Sequence, residues 1–212
     1  MIGIQDVKED AEVKAIMYIA ENQIEALGFT EHSVRHSSIV SKWAGEILEA
    51  MGGDPQRVEM ARIAGYLHDI GNSINRYDHA QSGAILAYKI LTRMGMAFRD
   101  AADIMMAIGN HDESKGLPDK ADVHKSRVRT NSTRMSMENM NIHDRVNLAA
   151  EKSHVYVDKQ ANEIVLNITI DTKICSVMDY FEIYFARMQL CRRAADFLGS
   201  KFVLIINGSR LV

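Results

Sequence analysis

Residues 65–72 read Gly65-Tyr66-Leu67-His68-Asp69-Ile70-Gly71-Asn72, and the rest of the chain is arranged around this stretch. Small and apolar residues at helical spacing run into the adjacent His68 and Asp69, and Gly71 then ends the pattern. Histidine offers a neutral ring nitrogen and aspartate a hard oxygen, so two neighbours at a helix end can both turn toward one metal ion. A His-Asp pair also occurs by chance. A metal site therefore requires further ligand-type residues on neighbouring helices.

The composition limits the class of protein. The 212 residues, of which 47% are hydrophobic, suffice for one domain, or one domain with an appendage, with a sizeable core. The formal net charge of −3 does not indicate a broad surface for nucleic acid. No apolar run approaches the roughly 18 residues that span a bilayer, so no membrane partner is expected.

Two features indicate a cytoplasmic location. Residues 1–6 lack the basic region and apolar stretch of a secretory signal. Cys175 and Cys191 lie in what is predicted to be one helix, too far apart to form a disulfide with each other. A reduced, cytoplasmic setting is the simplest interpretation.

Apolar residues at helical spacing predict five helices in the first half of the chain. The predicted helices cover about residues 13–27, 36–51, 55–69, 79–94 and 98–111. Asp54 and Pro55 provide the N-cap and first-turn residues of the third helix. Beyond His111 the pattern weakens, and residues 119–129 and 144–151 fit a polar helix and a short helix.

After residue 151 the period changes. Alternating residues over 154–158 and 163–171 predict a β-hairpin with its turn at 159–162. A long amphipathic helix follows, and its predicted inward residues are Val177, Met178, Phe181, Phe185, Met188, Cys191, Ala195 and Leu198. Residues 202–206 form a last predicted strand. The expected fold is mostly α, with a helical bundle over 1–151 and a small ββαβ (α+β) appendage over 152–212 packed on it.

Ligand-type residues fall on four consecutive predicted helices, on or near the side that faces the bundle centre. They are His36, His68, Asp69, His79 and His111. Taken singly, each histidine is more often a core or surface residue than a ligand. Helical bundles commonly build metal sites from inward side chains on facing helices, so one shared site explains the set better than separate core residues.

The order His36, His68-Asp69, His79 in His-Ala-Gln-Ser-Gly-Ala, His111 and a later aspartate resembles the HD-domain superfamily of metal-dependent phosphohydrolases. The closer resemblance is to the binuclear branch, which has two extra histidines. It implies an HD-type bundle in which His36, the His-Asp pair and a late aspartate hold one metal ion. It further implies that the two extra histidines hold a second ion and that Asp69 bridges both.

The resemblance covers about residues 30–151 and leaves the last aspartate open. Asp119 resembles the start of the family's last ligand helix, although residues 115–118 stand where relatives have apolar turns. Asp144 is the alternative and Asp122 a third candidate. The ordinary alternative to metal binding for Asp119 and Asp144 is helix capping.

Binding of a phosphate requires cations beside the metal ions. Basic residues cluster near the late aspartate: Lys120, Lys125, Arg127, Arg129 and Arg145. Arg127 is the first choice, because it lies eight residues after Asp119, and Arg145 is the second, although such a run is more often a solvated helix face. Asn72 stands where many relatives carry lysine. Residues 110–113 lack the signature of the cyclic-dinucleotide branch, which disfavours that substrate.

The resemblance implies a metal-dependent phosphohydrolase, a phosphomonoesterase or phosphodiesterase, that acts on a small phosphate ester such as a nucleotide. His68 and Asp69 would be catalytic. One or two divalent ions (Fe, Mn or similar) would be the cofactors, and a pair about 3.5–4 Å apart can activate a bridging water. The alternatives are an HD-type diiron oxygenase and a non-catalytic metal-containing module. In the latter the appendage would mediate binding or formation of a homodimer.

Overall fold

The computed structural model describes residues 2–26, 34–111, 146 and 148–212. The chain divides into two compact units, Met1–Arg127 and Val128–Val212. The regular elements of the described part of the first unit are all helices, and those of the second unit include a sheet and a long helix. The predicted mostly α fold with a small C-terminal α+β part is confirmed.

Six α-helices lie in the described part of the first unit: α1 Ile4–Glu9, α2 Ala11–Ala26, α3 Val34–Ala50, α4 Pro55–Leu67, α5 His79–Arg93 and α6 Phe98–Gly109. A short 3-10 helix, Ile70–Ser73, connects α4 toward α5. The five predicted helices correspond to α2–α6. The 3-10 helix lies between the third and fourth predicted helices, where no helix was predicted.

Helix α1 was not predicted, because six residues are too few to show an apolar period. Its start is held by side chains instead. The backbone N–H of Gly3 donates to a carboxylate oxygen of Asp6 at 2.8 Å, and that of Ile4 donates to Glu59 at 2.8 Å. The buried Ile4 and Val7 then join the helical core.

One apolar core joins α1, α2, α4, α5 and α6. Its fully buried side chains include Val13, Ile63, Leu67, Ile90, Leu91, Ile104 and Ile108. Burial of each Leu or Ile side chain contributes about 1.5–3 kcal/mol. A second cluster packs α3 on α4 through Ala44, Leu48, Val58 and Ala61. These contacts fix the four helices α3–α6, on which the ligand-type residues were predicted.

The second unit is built on a four-stranded sheet, β1 Ala150–Asp158, β2 Glu163–Ile170, β3 Lys201–Ile206 and β4 Ser209–Arg210, in that spatial order. Strands β1 and β2 form the predicted antiparallel hairpin, and β4 pairs antiparallel with β3. Strands β2 and β3 are parallel. Parallel neighbours need a long crossover, and α7, Val177–Phe197, lies between them in the chain.

Three predictions for this unit were wrong in detail. Strand β1 begins at Ala150, so the end of the predicted short helix 144–151 is a strand. Cys175 precedes α7, and the two cysteines form no disulfide with each other. On α7 the predicted inward Met178 and Phe185 are 65% and 47% exposed, respectively.

The buried residues of α7 are Tyr180, Tyr184, Met188 and Ala195. The two tyrosine rings supply apolar surface despite their hydroxyl groups, and hydropathy alone undervalues them. The inward side of α7 is therefore rotated from the predicted one. None of the helices in the described ranges is both long and apolar enough to cross a bilayer.

Candidate metal centre

The first two ligand-type positions lie on neighbouring helices. His36 is in the first turn of α3 and is 9% exposed, on the same buried side as Val40 and Ala44. Helix α4 ends at Leu67, and His68 is its C-cap residue. Asp69 follows with φ −99° and ψ 6°, a bridge-region conformation that turns the chain into the 3-10 helix. The break after α4 thus directs two adjacent side chains into the bundle.

The 3-10 helix and α5 approach each other through two glycines. A Cβ atom on Gly71 would lie 2.5 Å from the backbone nitrogen of Gly83, and one on Gly83 would lie 3.0 Å from that of Gly71. A side chain at Gly71 would force the backbones apart, so this approach requires glycine. It brings the start of α5, where His79 is the first residue, beside Asp69.

The fifth ligand-type residue follows α6. Helix α6 ends at Gly109, and the backbone N–H of His111 donates to the carbonyl of Ile108 at 3.2 Å, which continues the turn by two residues. The amide of Gln81, on α5, donates to the carbonyl of Gly109 at 3.1 Å. This hydrogen bond ties the end of α6 to the start of α5, so His79 and His111 lie together.

Asp69 is 5% exposed, and its carboxylate lies between two pairs of imidazoles. Its Oδ2 is 3.1 Å from Nε2 of His68 and 3.9 Å from Nε2 of His36. Its Oδ1 is 3.2 Å from Nε2 of His79 and 3.6 Å from Nε2 of His111. The ligand-type residues that the sequence singled out on α3–α6 are thus brought together around one carboxylate.

The backbone fixes the orientation of three of these rings. Nδ1 of His68, His79 and His111 lies 2.8, 3.0 and 2.7 Å, respectively, from the carbonyl oxygen of the residue three positions earlier. A carbonyl oxygen can only accept, so each Nδ1 must carry the hydrogen and donate. In the neutral ring Nε2 then has a lone pair and is directed toward Asp69. This is the usual arrangement of a metal-binding histidine.

Such a concentration of lone pairs is unfavourable without a cation. Nε2 of His79 and Nε2 of His111 are 3.1 Å apart, and both face Oδ1 of Asp69. Burial lowers the pKa of His111 below its usual value, and His68 lowers it further, while Asp69 acts in the opposite direction. The neutral form of His111, which binds metal ions, is therefore favoured over a compensating proton.

The donor set fits one or two divalent metal ions. Two groups of three residues each bring one ligand atom per residue within 4.8 Å of the others, and they share Asp69: His36, His68, Asp69 and Asp69, His79, His111. Mixed imidazole and carboxylate donors suit first-row ions such as iron or manganese.

The sequence analysis did not single out Arg76, which is linked to the centre through Asn72. The buried side chain of Asn72 donates from Nδ2 to the backbone oxygen of Asp69 at 3.0 Å. Nη1 of Arg76 donates to Oδ1 of Asn72 at 3.3 Å. The carbonyl of Arg76 is the acceptor for His79 Nδ1. The available signal was an arginine in the short loop between two ligand-bearing segments.

The remaining predicted site residues lie outside the described residues. They are the late aspartates Asp119, Asp122 and Asp144 and the basic residues Lys120, Lys125, Arg127, Arg129 and Arg145. Their proposed roles as the last metal ligand and as phosphate partners stay predictions.

Comparison with known proteins adds two findings. Residues 31–183 match the HD domain family. A crystal structure of a predicted HD superfamily hydrolase from an uncultured Thermotogales bacterium is similar at 20% identity and a TM-score of 0.44, covering 93% of this chain and 94% of that one. No curated protein matches the sequence.

Proposed function

The chain belongs to the HD domain family, and on this basis we propose that it is a metal-dependent phosphohydrolase that acts on a small phosphate ester such as a nucleotide. HD-domain proteins are commonly metal-dependent hydrolases. The observation that carries the proposal is the Asp69 carboxylate, whose two oxygens each face two imidazole nitrogens. Such a centre is suited to the charge of a phosphate group.

The ligands divide between two positions. His36, His68 and Asp69 would hold one ion, and Asp69, His79 and His111 the other. Asp119, with Asp144 as the alternative, would complete the first position. Bound divalent ions supply a Lewis acid that lowers the pKa of water and neutralises charge on the phosphate.

The residues of the chain contribute preorganisation. The carbonyls of Gly65, Arg76 and Ile108 hold three imidazoles in a fixed tautomer and orientation. The low exposure of His36, Asp69 and His79 limits the access of water to the ligand atoms. Donors and charges that are fixed before substrate binds need no reorganisation during the reaction, which is the largest contribution to many enzymatic rates.

Reconstitution and mutation test the proposal. Protein loaded with Mn or Fe is assayed on a panel of phosphomonoesters and phosphodiesters that includes nucleotides. We expect turnover by the parent and loss of at least about 100-fold in Asp69→Ala, because removal of even a supporting group of a metal site costs 10–100-fold. Asp103→Ala is the matched control, since Asp103 lies on α6 and pairs with the exposed Arg99.

Two results would contradict it. The proposed phosphohydrolase activity is ruled out if the metal-loaded parent hydrolyses no ester on the panel. It is also ruled out if Asp69→Ala is as active as Asp103→Ala. Oxygen consumption by the iron-loaded protein without ester hydrolysis would favour the diiron oxygenase instead.

A further inference from the structure

Arg76 is connected at both ends to residues of the metal centre. Its guanidinium donates to Asn72, and Asn72 in turn donates to the backbone oxygen of Asp69. Its own carbonyl accepts from Nδ1 of His79. The side chain and the backbone of Arg76 are therefore each linked through hydrogen bonds to one of the candidate metal ligands.

Asn72 accepts a hydrogen bond from this guanidinium. It is 1% exposed, whereas Arg76 is partly buried, so the amide is a fixed point and the arginine lies on its outer side. The amide of Asn72 satisfies one hydrogen bond at each of its two atoms, to Asp69 and to Arg76. A half-buried arginine that is held by a rigid partner loses less conformational entropy when it binds a ligand.

Metal binding would add positive charge to the centre to which Arg76 is linked through Asn72. The described ligands of the centre are four imidazoles and the single carboxylate of Asp69, so two divalent ions leave a positive excess even with one further aspartate. An anion that contacts both the metal ions and this guanidinium would reduce the repulsion between them. Planar guanidinium groups bind phosphate oxygens with directed, paired hydrogen bonds.

We propose that Arg76 binds a non-bridging oxygen of the substrate's phosphate group beside the metal ions, and that Asn72 is the residue that positions it. This inference rests on the proposed function. It places a phosphate-binding cation in the loop after His68-Asp69, among the described residues, in addition to the Arg127 and Arg145 suggested by the sequence.

The test is binding of inorganic phosphate to the metal-loaded protein, measured by calorimetry. We expect Arg76→Gln to weaken phosphate binding by about 10- to 100-fold, the range for loss of a charge-assisted hydrogen bond. Arg76→Lys should restore part of the affinity, because it keeps the charge and loses the planar fork. Metal content and melting temperature should stay at the parent values in both variants.

Arg99→Gln is the matched control, because Arg99 lies on α6 in the same unit with an 88% exposed side chain. It should bind phosphate as the parent does. Asn72→Ala should weaken phosphate binding in the parent and have a much smaller effect in the Arg76→Gln background. Such non-additivity is the signature of a residue that acts through its partner.

Each outcome decides the inference. Equal phosphate affinity of Arg76→Gln and Arg99→Gln overturns it, and so does loss of bound metal in Arg76→Gln, which would make the residue structural. Additive effects of Asn72→Ala and Arg76→Gln overturn the role of Asn72. Metal-loaded parent that does not bind phosphate removes the inference as well. If phosphate binding depends on Arg76 but no ester is hydrolysed, the inference is supported and only the proposed phosphohydrolase activity is ruled out.

Discussion

Asp69 presents each carboxylate oxygen to a different pair of imidazoles. Oδ2 faces His36 and His68, and Oδ1 faces His79 and His111. A carboxylate in this position can bridge two cations, whereas each histidine can serve one. The consequences of substitution should therefore differ between Asp69 and any of the histidines.

Substitution of a single histidine should remove one ion. In His79→Ala the pair that faces Oδ1 is reduced to His111, so we expect bound metal to fall from two ions to about one per chain. Asp69→Asn removes the charge that both positions share, and it should lower the occupancy of both. Elemental analysis after dialysis against Mn or Fe measures the metal content.

His154→Ala is the control for the loss of an imidazole, because this exposed residue lies on β1 and its ring stacks on Tyr156. It should retain the parent metal content. A His79→Ala protein with two ions per chain, or a parent that never binds more than one, would contradict the two-position arrangement.

The sequence located the ligand-type residues but not Arg76. His36, His79 and His111 could be found because helical spacing and the family resemblance place them relative to His68-Asp69. The position of Arg76 depends on hydrogen bonds in a short loop, through the side chain of Asn72. No periodicity reports such contacts, and the sequence instead predicts phosphate partners in the basic run 120–129 and at Arg145.

Close packing of the elements sets the distances within the centre. Helices α3 and α4 meet at Gly65, where a Cβ atom would lie 3.0 Å from the Cα of Ser41. The 3-10 helix meets α5 at Gly71 and Gly83. Glycines thus lie where two ligand-bearing elements are in close contact. A methyl group at these positions should push the elements apart and displace a candidate ligand.

Gly71→Ala should disturb both the fold and the site. The new methyl group would overlap the backbone of His79 and lie 2.5 Å from the nitrogen of Gly83, so the start of α5 must move away from Asp69. Overpacking typically costs about 1–3 kcal/mol of unfolding free energy. We expect a loss of about that size in urea unfolding, together with weaker metal binding by titration.

Gly109→Ala is the matched control at the other side of the centre. Its Cβ atom would make an ordinary contact of 3.5 Å with Ala84, and alanine has the higher helix propensity in α6. It should leave stability unchanged or raise it by a few tenths of a kcal/mol. Equal effects of the two substitutions would show that the approach at Gly71 is not tight.

At the level of elements, strong periodic signals were reliable and weak ones were not. Asp54 accepts a hydrogen bond from the backbone N–H of Arg57, so α4 begins at Pro55 as its capping residues predicted. Helix α1 is too short to show a period. The inward side of α7 depends on Tyr180 and Tyr184, whose rings pack at 4.8 Å between centroids, and a hydropathy pattern treats these residues as weakly apolar.

For the whole molecule, the distribution of the ligands over the two units matters. All five described ligand-type residues belong to the first unit, between positions 36 and 111. The match to the HD domain family, residues 31–183, continues into the second unit. The family match therefore does not tell which unit metal binding stabilises. The positions of the described candidate ligands indicate the first unit.

Metal binding should protect the first unit most. A ligand that binds the native state alone stabilises it by RT ln(1 + [L]/Kd), about 2.7 kcal/mol at 100 times Kd. Because the candidate ligands lie between residues 36 and 111, we expect Mn to slow amide hydrogen exchange in peptides from residues 34–111 of the parent. Peptides from β1–β3 are the internal reference. Asp69→Asn should abolish the metal-dependent change. Unchanged exchange in 34–111 at saturating Mn, or an equal slowing in Asp69→Asn, would contradict a metal centre around Asp69.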